Sequence, residues 1–105
     1  MWNEPTRKQL SKIPKLYETE GTPLGDKTIY MHFFIGNSDW YIAEFDGDDI
    51  FFGYAVLGGD HVNAEWGYIS YSELKEIRIP PGFEVERDLH WRPRKAGEIE
   101  KIGVK

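Results

Sequence analysis

Four apolar segments separated by short polar connections follow one another along the middle of the chain. They are TIYMHFFI (28–35), DWYIAEF (39–45), IFFGYAVL (50–57) and AEWGYIS (64–70). The second connection, DGDD, contains the Asp-Gly pair typical of a hairpin turn. Connections of this length join neighbouring antiparallel strands, because parallel neighbours need a crossover of roughly a dozen residues or more. The sequence therefore predicts a four-stranded meander over 28–70.

Short helices are predicted on both sides of the meander. Ser70 and Glu73 have the S-x-x-E spacing of a capping box, in which two side chains close backbone amides at the start of a helix. This helix should cover 71–77, because the prolines of IPPG (79–82) end it. Another short helix is predicted over 5–12.

A further strand is predicted over FEVERDLHW (83–91), which alternates between apolar and charged residues. A period of two is the pattern of a half-buried strand, and a charged face suits the edge of a sheet. The predicted fold class is α+β: an antiparallel sheet of about five strands, arranged as a meander, with one or two short helices packed on it.

The length and composition fit one domain. The 105 residues are 40% hydrophobic and include four Trp, six Tyr and six Phe, which is enough for one modest core. We predict a single globular domain over 1–92 and a basic, weakly ordered C-terminal tail over 93–105. The chain has no cysteine, no run of ~20 apolar residues and no apolar signal-peptide segment. These features predict a cytoplasmic protein without a membrane span.

The formal net charge of −5 is unevenly distributed. Residues 1–15 carry four bases against one acid, and residues 91–105 carry five bases against two acids. Residues 16–90 carry fifteen acids and four bases, a net charge of −11. Such a segment repels nucleic-acid phosphates and attracts basic partners. Direct nucleic-acid binding by the sheet is therefore disfavoured, and a solvated acidic surface with neutralising ends is the plain alternative.

Three charged residues fall within apolar strand patterns. Glu44 and Glu65 lie among aromatic residues, and Arg87 lies on the apolar side of 83–91. A buried charge must be paired or neutralised. One interpretation is that Arg87 pairs with Glu65 or Glu44 and so sets the strand register. Another is a carboxylate pair with perturbed pKa values for acid–base chemistry or ligand recognition, and a third is that one of the carboxylates faces solvent.

Nothing in the sequence has the pattern of a catalytic or metal site. His32, His61 and His90 lie 29 residues apart, without an i,i+4 pair and without a cysteine, so neither a metal site nor a cofactor is predicted. No serine has a histidine neighbour in sequence. Whether the protein is an enzyme stays open, with the balance against it.

Several segments agree in order with a known pattern: FFIGNSDWYIAEFDGDDIFFGYAVLG, NAEWGYISYSELKEI and GFEVERDLHW. Over 14–92 the chain resembles an uncharacterised family of small bacterial proteins, a domain of unknown function often encoded on plasmids and other mobile elements. The resemblance implies one compact cytoplasmic domain and a role in plasmid or phage maintenance, transfer or defence evasion. It implies no catalytic residues. The best-matching polar and aromatic positions are Asp39, Trp40, Glu44, Glu65, Trp66, Glu86 and Arg87.

The leading functional hypothesis is a small acidic, non-enzymatic interaction protein of mobile-element type, a monomer or weak homodimer that binds a protein partner. Its predicted binding residues are acidic: Asp46, Asp48 and Asp49 in the DGDD turn, and Glu84, Glu86 and Asp88 on the last strand. One alternative is a small-molecule binder or hydrolase with Glu44, Glu65 and His90 in a pocket on the sheet. Another is a nucleic-acid accessory protein that uses the basic ends.

Overall fold

The computed structural model describes residues 1–102, within which a central sheet is flanked by short elements. The strands are β1 (Thr28–Ile29), β2 (Met31–Ile35), β3 (Ser38–Phe45), β4 (Ile50–Val56), β5 (Glu65–Ser70), β6 (Arg78–Ile79), β7 (Phe83–Glu84), β8 (Glu86–Arg87) and β9 (Arg94–Lys95). The α-helices are α1 (Arg7–Leu10) and α2 (Tyr71–Glu76), and 3₁₀ turns cover Leu24–Asp26 and Ala96–Glu98.

The central sheet has the strand order β5-β4-β3-β2-β8, and all its pairs are antiparallel. Strands β2 to β5 pair with their neighbours in sequence, so the predicted meander is confirmed. With the short helices, the fold class is α+β, as predicted. Strands β5 and β8 are the two edges, and four strand spacings of about 4.8 Å, roughly 19 Å in all, separate them.

A β-bulge at Ala43 interrupts β3. Ile42 lies opposite Gly53, whereas Glu44 lies opposite the adjacent residue of β4, so Ala43 is the extra residue. A bulge changes by one residue which side chains point to each face of a sheet. Gly53 permits the close approach of the strands here, because a Cβ at this position would lie 2.0 Å from the carbonyl oxygen of Tyr41.

The sheet carries a separate hydrophobic cluster on each side, which we name the first face and the second face. The first-face cluster contains Leu10, Ile13, Met31, Phe33, Ile35, Trp40, Ile42, Phe45, Phe51, Ile69, Tyr71, Leu74 and Val85. The second-face cluster contains Ile29, Tyr41, Ala43, Tyr54, Val56, Ala64, Ala96, Ile99 and Ile102. Strands that are apolar on both sides are thus covered on both sides.

Both helices begin at side-chain caps. The Ser70 hydroxyl accepts a hydrogen bond from the Glu73 amide at 3.2 Å, and α2 ends one residue earlier than predicted. Helix α1 is shorter than the predicted 5–12. It begins after Thr6, which forms a capping box with Gln9.

The strand predicted over 83–91 forms only in pieces. Val85 is buried and β8 pairs with β2, but Phe83 belongs to a small hairpin with β6. Phe83 and Leu89, predicted to lie on the buried side, are 51% and 57% exposed. The prediction was wrong at both ends because the chain leaves the sheet there, and alternation then no longer reports which side is covered.

The segment after Pro93 packs on the second face, which differs from the weakly ordered tail predicted for it. Strand β9 pairs with β1, and Ala96, Ile99 and Ile102 are buried. The Ile99 amide donates a hydrogen bond to the Ala96 carbonyl oxygen, and the Ile102 amide donates one to the Ile99 carbonyl oxygen, so the three residues form two successive turns. At three residues per turn these side chains point the same way. Residues 103–105 of the predicted tail lie outside the described residues.

Candidate functional site

A buried carboxylate, Glu44, anchors the loop of residues 15–27 on the second face. Its Oε1 accepts a hydrogen bond from the Tyr17 amide at 2.9 Å. Its Oε2 accepts one from the Thr19 amide at 3.2 Å and another from the Thr19 hydroxyl. Glu44 is only 4% exposed. The carboxylate is thus used to hold backbone and is closed to a substrate.

Lys27 compensates the charge of Glu44. Both side chains are buried, and Nζ of Lys27 lies 3.9 Å from Oε2 of Glu44. The closer contacts of Nζ are with Thr19, to whose carbonyl oxygen and hydroxyl it donates hydrogen bonds. A buried charge needs such partners. The geometry is that of a structural ion pair with Thr19 between the charges.

Two exposed tyrosines meet here, one from this loop and one from the edge strand β5. Tyr17 and Tyr68 are 63% and 61% exposed, and their hydroxyl oxygens lie 3.0 Å apart. The ring of Phe52 lies with its centre 5.7 Å from that of Tyr68 and stacks on Trp66 at 5.8 Å. We name Tyr17, Phe52, Trp66 and Tyr68 the tyrosine surface. It was not predicted from the sequence, since its two exposed members come from segments 51 residues apart.

A polar network surrounds His32 on the second face. Its Nε2 lies 2.7 Å from Oδ1 of Asp39, and its Nδ1 lies 3.0 Å from Oδ2 of Asp88. The other oxygen of Asp39 accepts a hydrogen bond from Nζ of Lys101 at 3.0 Å. The imidazole ring of His32 also stacks on the ring of Tyr41, with ring centres 4.6 Å apart. His32 thus joins two carboxylates that come from separate segments of the second face.

The predicted ion pair of Arg87 with Glu65 or Glu44 does not form. Glu65 is exposed on the edge strand β5, and Arg87 lies on the opposite edge, in β8. The Nε of Arg87 donates a hydrogen bond to the carbonyl oxygen of Asn3 at 2.8 Å. The prediction was wrong because a strand pattern does not tell which strands become the two edges.

Glu44, Glu65 and His90, the residues of the predicted pocket, are also kept apart. Glu44 faces the second face, whereas Glu65 lies opposite Ala55, which packs on the first face. His90 is exposed after β8. Two surface grooves, one beside α1 and one beside Leu89 and Trp91, are lined by none of the three.

Two aspartates of the predicted acidic turn have structural roles. Asp46 Oδ1 accepts hydrogen bonds from three successive amides, beginning with that of Asp48. Asp49 accepts hydrogen bonds from the hydroxyls of Ser70 and Ser72 and from the Ser72 amide at the start of α2. Desolvation raises the pKa of Asp46 and Asp49, but these hydrogen bonds outweigh it and hold both pKa values below the usual range. Asp48 is exposed and has no side-chain partner among the described residues.

Two acids of the predicted binding strand are engaged as well. Glu84 binds the N-terminal ammonium of Met1 and lies 3.8 Å from Nε of Arg78. Burial raises the pKa of Asp88, but hydrogen bonds from His32 and a backbone amide outweigh it, so the pKa lies below its usual range. Glu86 is half-buried, with no side-chain partner within residues 1–102. Of the six predicted binding carboxylates, Asp48 and Glu86 therefore remain available.

A groove of about 670 Å³ opens between α1, the segment after it and the β3–β4 turn. Leu10, Ile13 and Phe45 line its apolar part, and both acidic and basic side chains line its rim. Tyr71 also lines the groove, and its buried hydroxyl has no hydrogen-bond partner in the described part of the chain. Burial raises the pKa of Tyr71 to about 12, so the group is a neutral donor at pH 7. A buried donor of this kind is a place for an acceptor atom.

Within residues 1–102 no three His, Cys, Asp or Glu side chains are grouped so as to hold a metal ion. The described helices include none with the length and apolar character needed to cross a membrane.

No curated protein and no solved structure matches the chain. The model of one family, described as "Protein of unknown function (DUF2958)", matches residues 7–97. The chain therefore belongs to the DUF2958 family.

Proposed function

We propose that the protein is a non-enzymatic module that binds a basic protein partner. The distribution of charge in the folded chain carries the proposal. Of the fifteen acidic residues in 16–90, only Asp39 and Glu44 are buried, and of the four basic residues Lys27 is buried. Thirteen acidic and three basic side chains of this segment therefore reach the surface. Such a surface attracts a basic partner and orients its approach.

The packing of the basic ends supports this proposal. Residues 1–15 are held on the first face through Leu10 and Ile13, and the C-terminal segment is held on the second face through Ile99. The basic ends are thus placed over the two faces of the sheet. The turn residue Asp48 and the edge residue Glu65 stay exposed.

The resemblance to proteins of mobile elements extends the proposal to a bacterial, cytoplasmic setting. A protein that maintains, transfers or defends against a plasmid commonly presents a basic surface to phosphates, because contacts with phosphates supply much of its affinity. An acidic module can occupy such a surface by complementary potential. The proposed partner is therefore a protein with a basic, phosphate-binding surface.

The proposal is tested by affinity capture from a bacterial lysate treated with nuclease. We expect the wild-type protein to retain a protein partner and the double variant Asp48→Lys/Glu86→Lys to lose it. Glu98→Lys/Glu100→Lys, the same two reversals at exposed sites in the basic C-terminal segment, is the matched control and should retain the partner. A wild-type protein that retains nothing after nuclease treatment would contradict the proposal.

This variant pair is smaller than the six acids predicted from the sequence. Reversing Asp46, Asp49, Glu84 or Asp88 would break intramolecular hydrogen bonds or ion pairs, and a loss of binding would then not report on the surface. Asp48 and Glu86 avoid this difficulty.

A second candidate function, small-molecule binding, is favoured by the unpartnered hydroxyl of Tyr71 in the groove. Native mass spectrometry of the purified protein should then show a bound small molecule. Tyr71→Phe removes only the hydroxyl, so it should reduce the bound fraction while leaving the fold in place. If the mass spectra show no bound molecule on either the wild-type protein or the variant, small-molecule binding is rejected.

A further inference from the structure

The two tyrosines of the tyrosine surface lie outside both hydrophobic clusters. A single exposed aromatic side chain needs no explanation. Tyr17 and Tyr68, however, meet at their hydroxyls from a loop and an edge strand, and both remain more than half exposed. Trp66, beside Phe52, also packs against the buried Tyr54, with ring centres 5.6 Å apart. The ring of Tyr68 is therefore connected through Phe52 and Trp66 to a buried residue of the second face.

The backbone of Tyr17 adopts a conformation that is unfavourable for a large side chain. Its φ of +68° lies in the left-handed region, which it shares with Asn3 among the non-glycine residues described. Asparagine enters this region readily, whereas an aromatic residue does so rarely. The buried carboxylate of Glu44 holds the Tyr17 amide and so maintains the conformation. Backbone held in this way is characteristic of functional sites.

The electrostatic environment of the tyrosine surface is negative. The hydrogen bond with Tyr17 raises the pKa of Tyr68, and burial and the negative charges of Glu44 and Glu20 raise it further. Glu20 is exposed in the same loop as Tyr17. Of the two cations of this loop, Lys27 is buried against Thr19 and Glu44, and the Nζ of Lys15 lies beside Gly47 in the β3–β4 turn. Aromatic faces themselves carry negative potential.

We propose that the tyrosine surface binds an arginine or lysine side chain of the partner protein on the rings of Tyr17 and Tyr68, beside Glu20. A cation over an aromatic face is attracted by the ring quadrupole, and a nearby carboxylate adds to the attraction. A nucleic-acid base also stacks on aromatic rings, but its phosphates would be repelled here. This inference rests on the proposed function, because it assigns the position at which the basic partner is held.

The test is an NMR titration with N-acetyl-arginine methylamide, whose only charge is the guanidinium group. The uncharged norleucine analogue serves as the ligand control. The indole N–H of Trp66, which has no hydrogen-bond partner among the described residues, is a reporter within the surface. We expect the arginine ligand to shift this signal and the Tyr68 amide signal, and the norleucine ligand to leave both unchanged.

Two substitutions remove the rings while respecting the local backbone. Tyr17→Asn suits the left-handed conformation, and Tyr68→Thr introduces a β-branched residue, which is favourable in a strand. Each should raise the Kd for the arginine ligand about threefold, and the double variant should raise it about tenfold. Phe83→Ala removes a similarly exposed aromatic ring from the β6–β7 hairpin and should leave the Kd unchanged.

Equal shifts with the norleucine ligand, or an unchanged Kd in the tyrosine double variant, would overturn the inference. Affinity capture separates this failure from that of the proposed function. A nuclease-resistant partner that the tyrosine double variant retains in full would reject the tyrosine surface and keep the interaction module. An arginine ligand that binds the surface of a protein with no captured partner would keep the cation site and reject the module.

Discussion

The two faces of the sheet are closed by different kinds of interaction. The first face buries thirteen apolar residues, among them Phe33 and Phe51 at 0% exposure. The second face buries nine, and next to them lie all three buried charged residues described, Lys27, Asp39 and Glu44. Apolar contact is non-directional, whereas hydrogen bonds have strict geometry. We infer that the first face supplies most of the stability and that the second face positions the loop bearing Tyr17.

The largest effect should come from the first face. Phe33→Ala should lower the free energy of unfolding by about 3–5 kcal/mol, because the removed ring leaves a cavity in a packed core. Val56→Ala, at an equally buried position of the second face, should cost about 2 kcal/mol. Urea unfolding at pH 7 measures both. Equal losses of stability would contradict the inference that the first face contributes more to stability than the second.

A smaller loss is expected when the buried ion pair of the second face is broken. Glu44→Gln should cost about 2–3 kcal/mol, because Lys27 is then left with a buried, uncompensated charge. The double variant Glu44→Gln/Lys27→Met should recover part of that loss. Urea unfolding of the four proteins in a double-mutant cycle gives the coupling, and strictly additive losses would show that the two charges do not interact.

The packing of the C-terminal segment can be tested by removing a single methylene group from the side chain of Ile99. Ile99→Val should cost about 1 kcal/mol, the usual loss for this change at a buried site. Glu98→Gln, at the exposed neighbouring position, should change stability by less than about 0.5 kcal/mol. Thermal unfolding followed by circular dichroism distinguishes the two. Identical melting temperatures would mean that this segment does not pack on the second face in solution.

The smallest predicted effect concerns Asp88 and the dependence of folding stability on pH. Because the folded pKa of Asp88 lies below its unfolded value of about 4, its contribution to stability is present above that pH. It is lost as the pH falls through the folded pKa. Asp88→Asn should cost on the order of 0.5–1 kcal/mol at pH 7 and flatten the decline below pH ~4. Parallel stability curves of wild type and variant would contradict this role.

The elements set by local sequence could be predicted, and most of the site could not. The meander follows from short connections, and α2 follows from its capping residues. The position of Arg87 depends on which strand pairs with β2 on the side opposite β3. That pairing is a long-range contact, and the local sequence pattern does not predict it. The bulge that directs Glu44 to the second face is equally invisible in an alternating apolar pattern.

One part of the site was within reach of sequence reasoning. Gly36 and Asn37 form a two-residue turn that pairs Ile35 with Ser38. This register places His32 and Asp39 on the same face of adjacent strands, where diagonal neighbours are within reach of each other. Their contact could therefore have been predicted from the turn alone. Asp88, the third member of the network, could not.

The bulge at Ala43 determines which hydrophobic cluster lies next to the carboxylate of Glu44. Glu44 lies opposite Phe52 on the second face, and Phe45 lies opposite Phe51 on the first face. If β3 kept all its residues but paired regularly with β4 beyond Ile42, Glu44 would lie opposite Phe51 and enter the larger apolar cluster. Deleting Ala43, in contrast, would remove the extra residue and leave Glu44 opposite Phe52. Relatives of this chain that lack this one residue should therefore still carry the carboxylate on the second face.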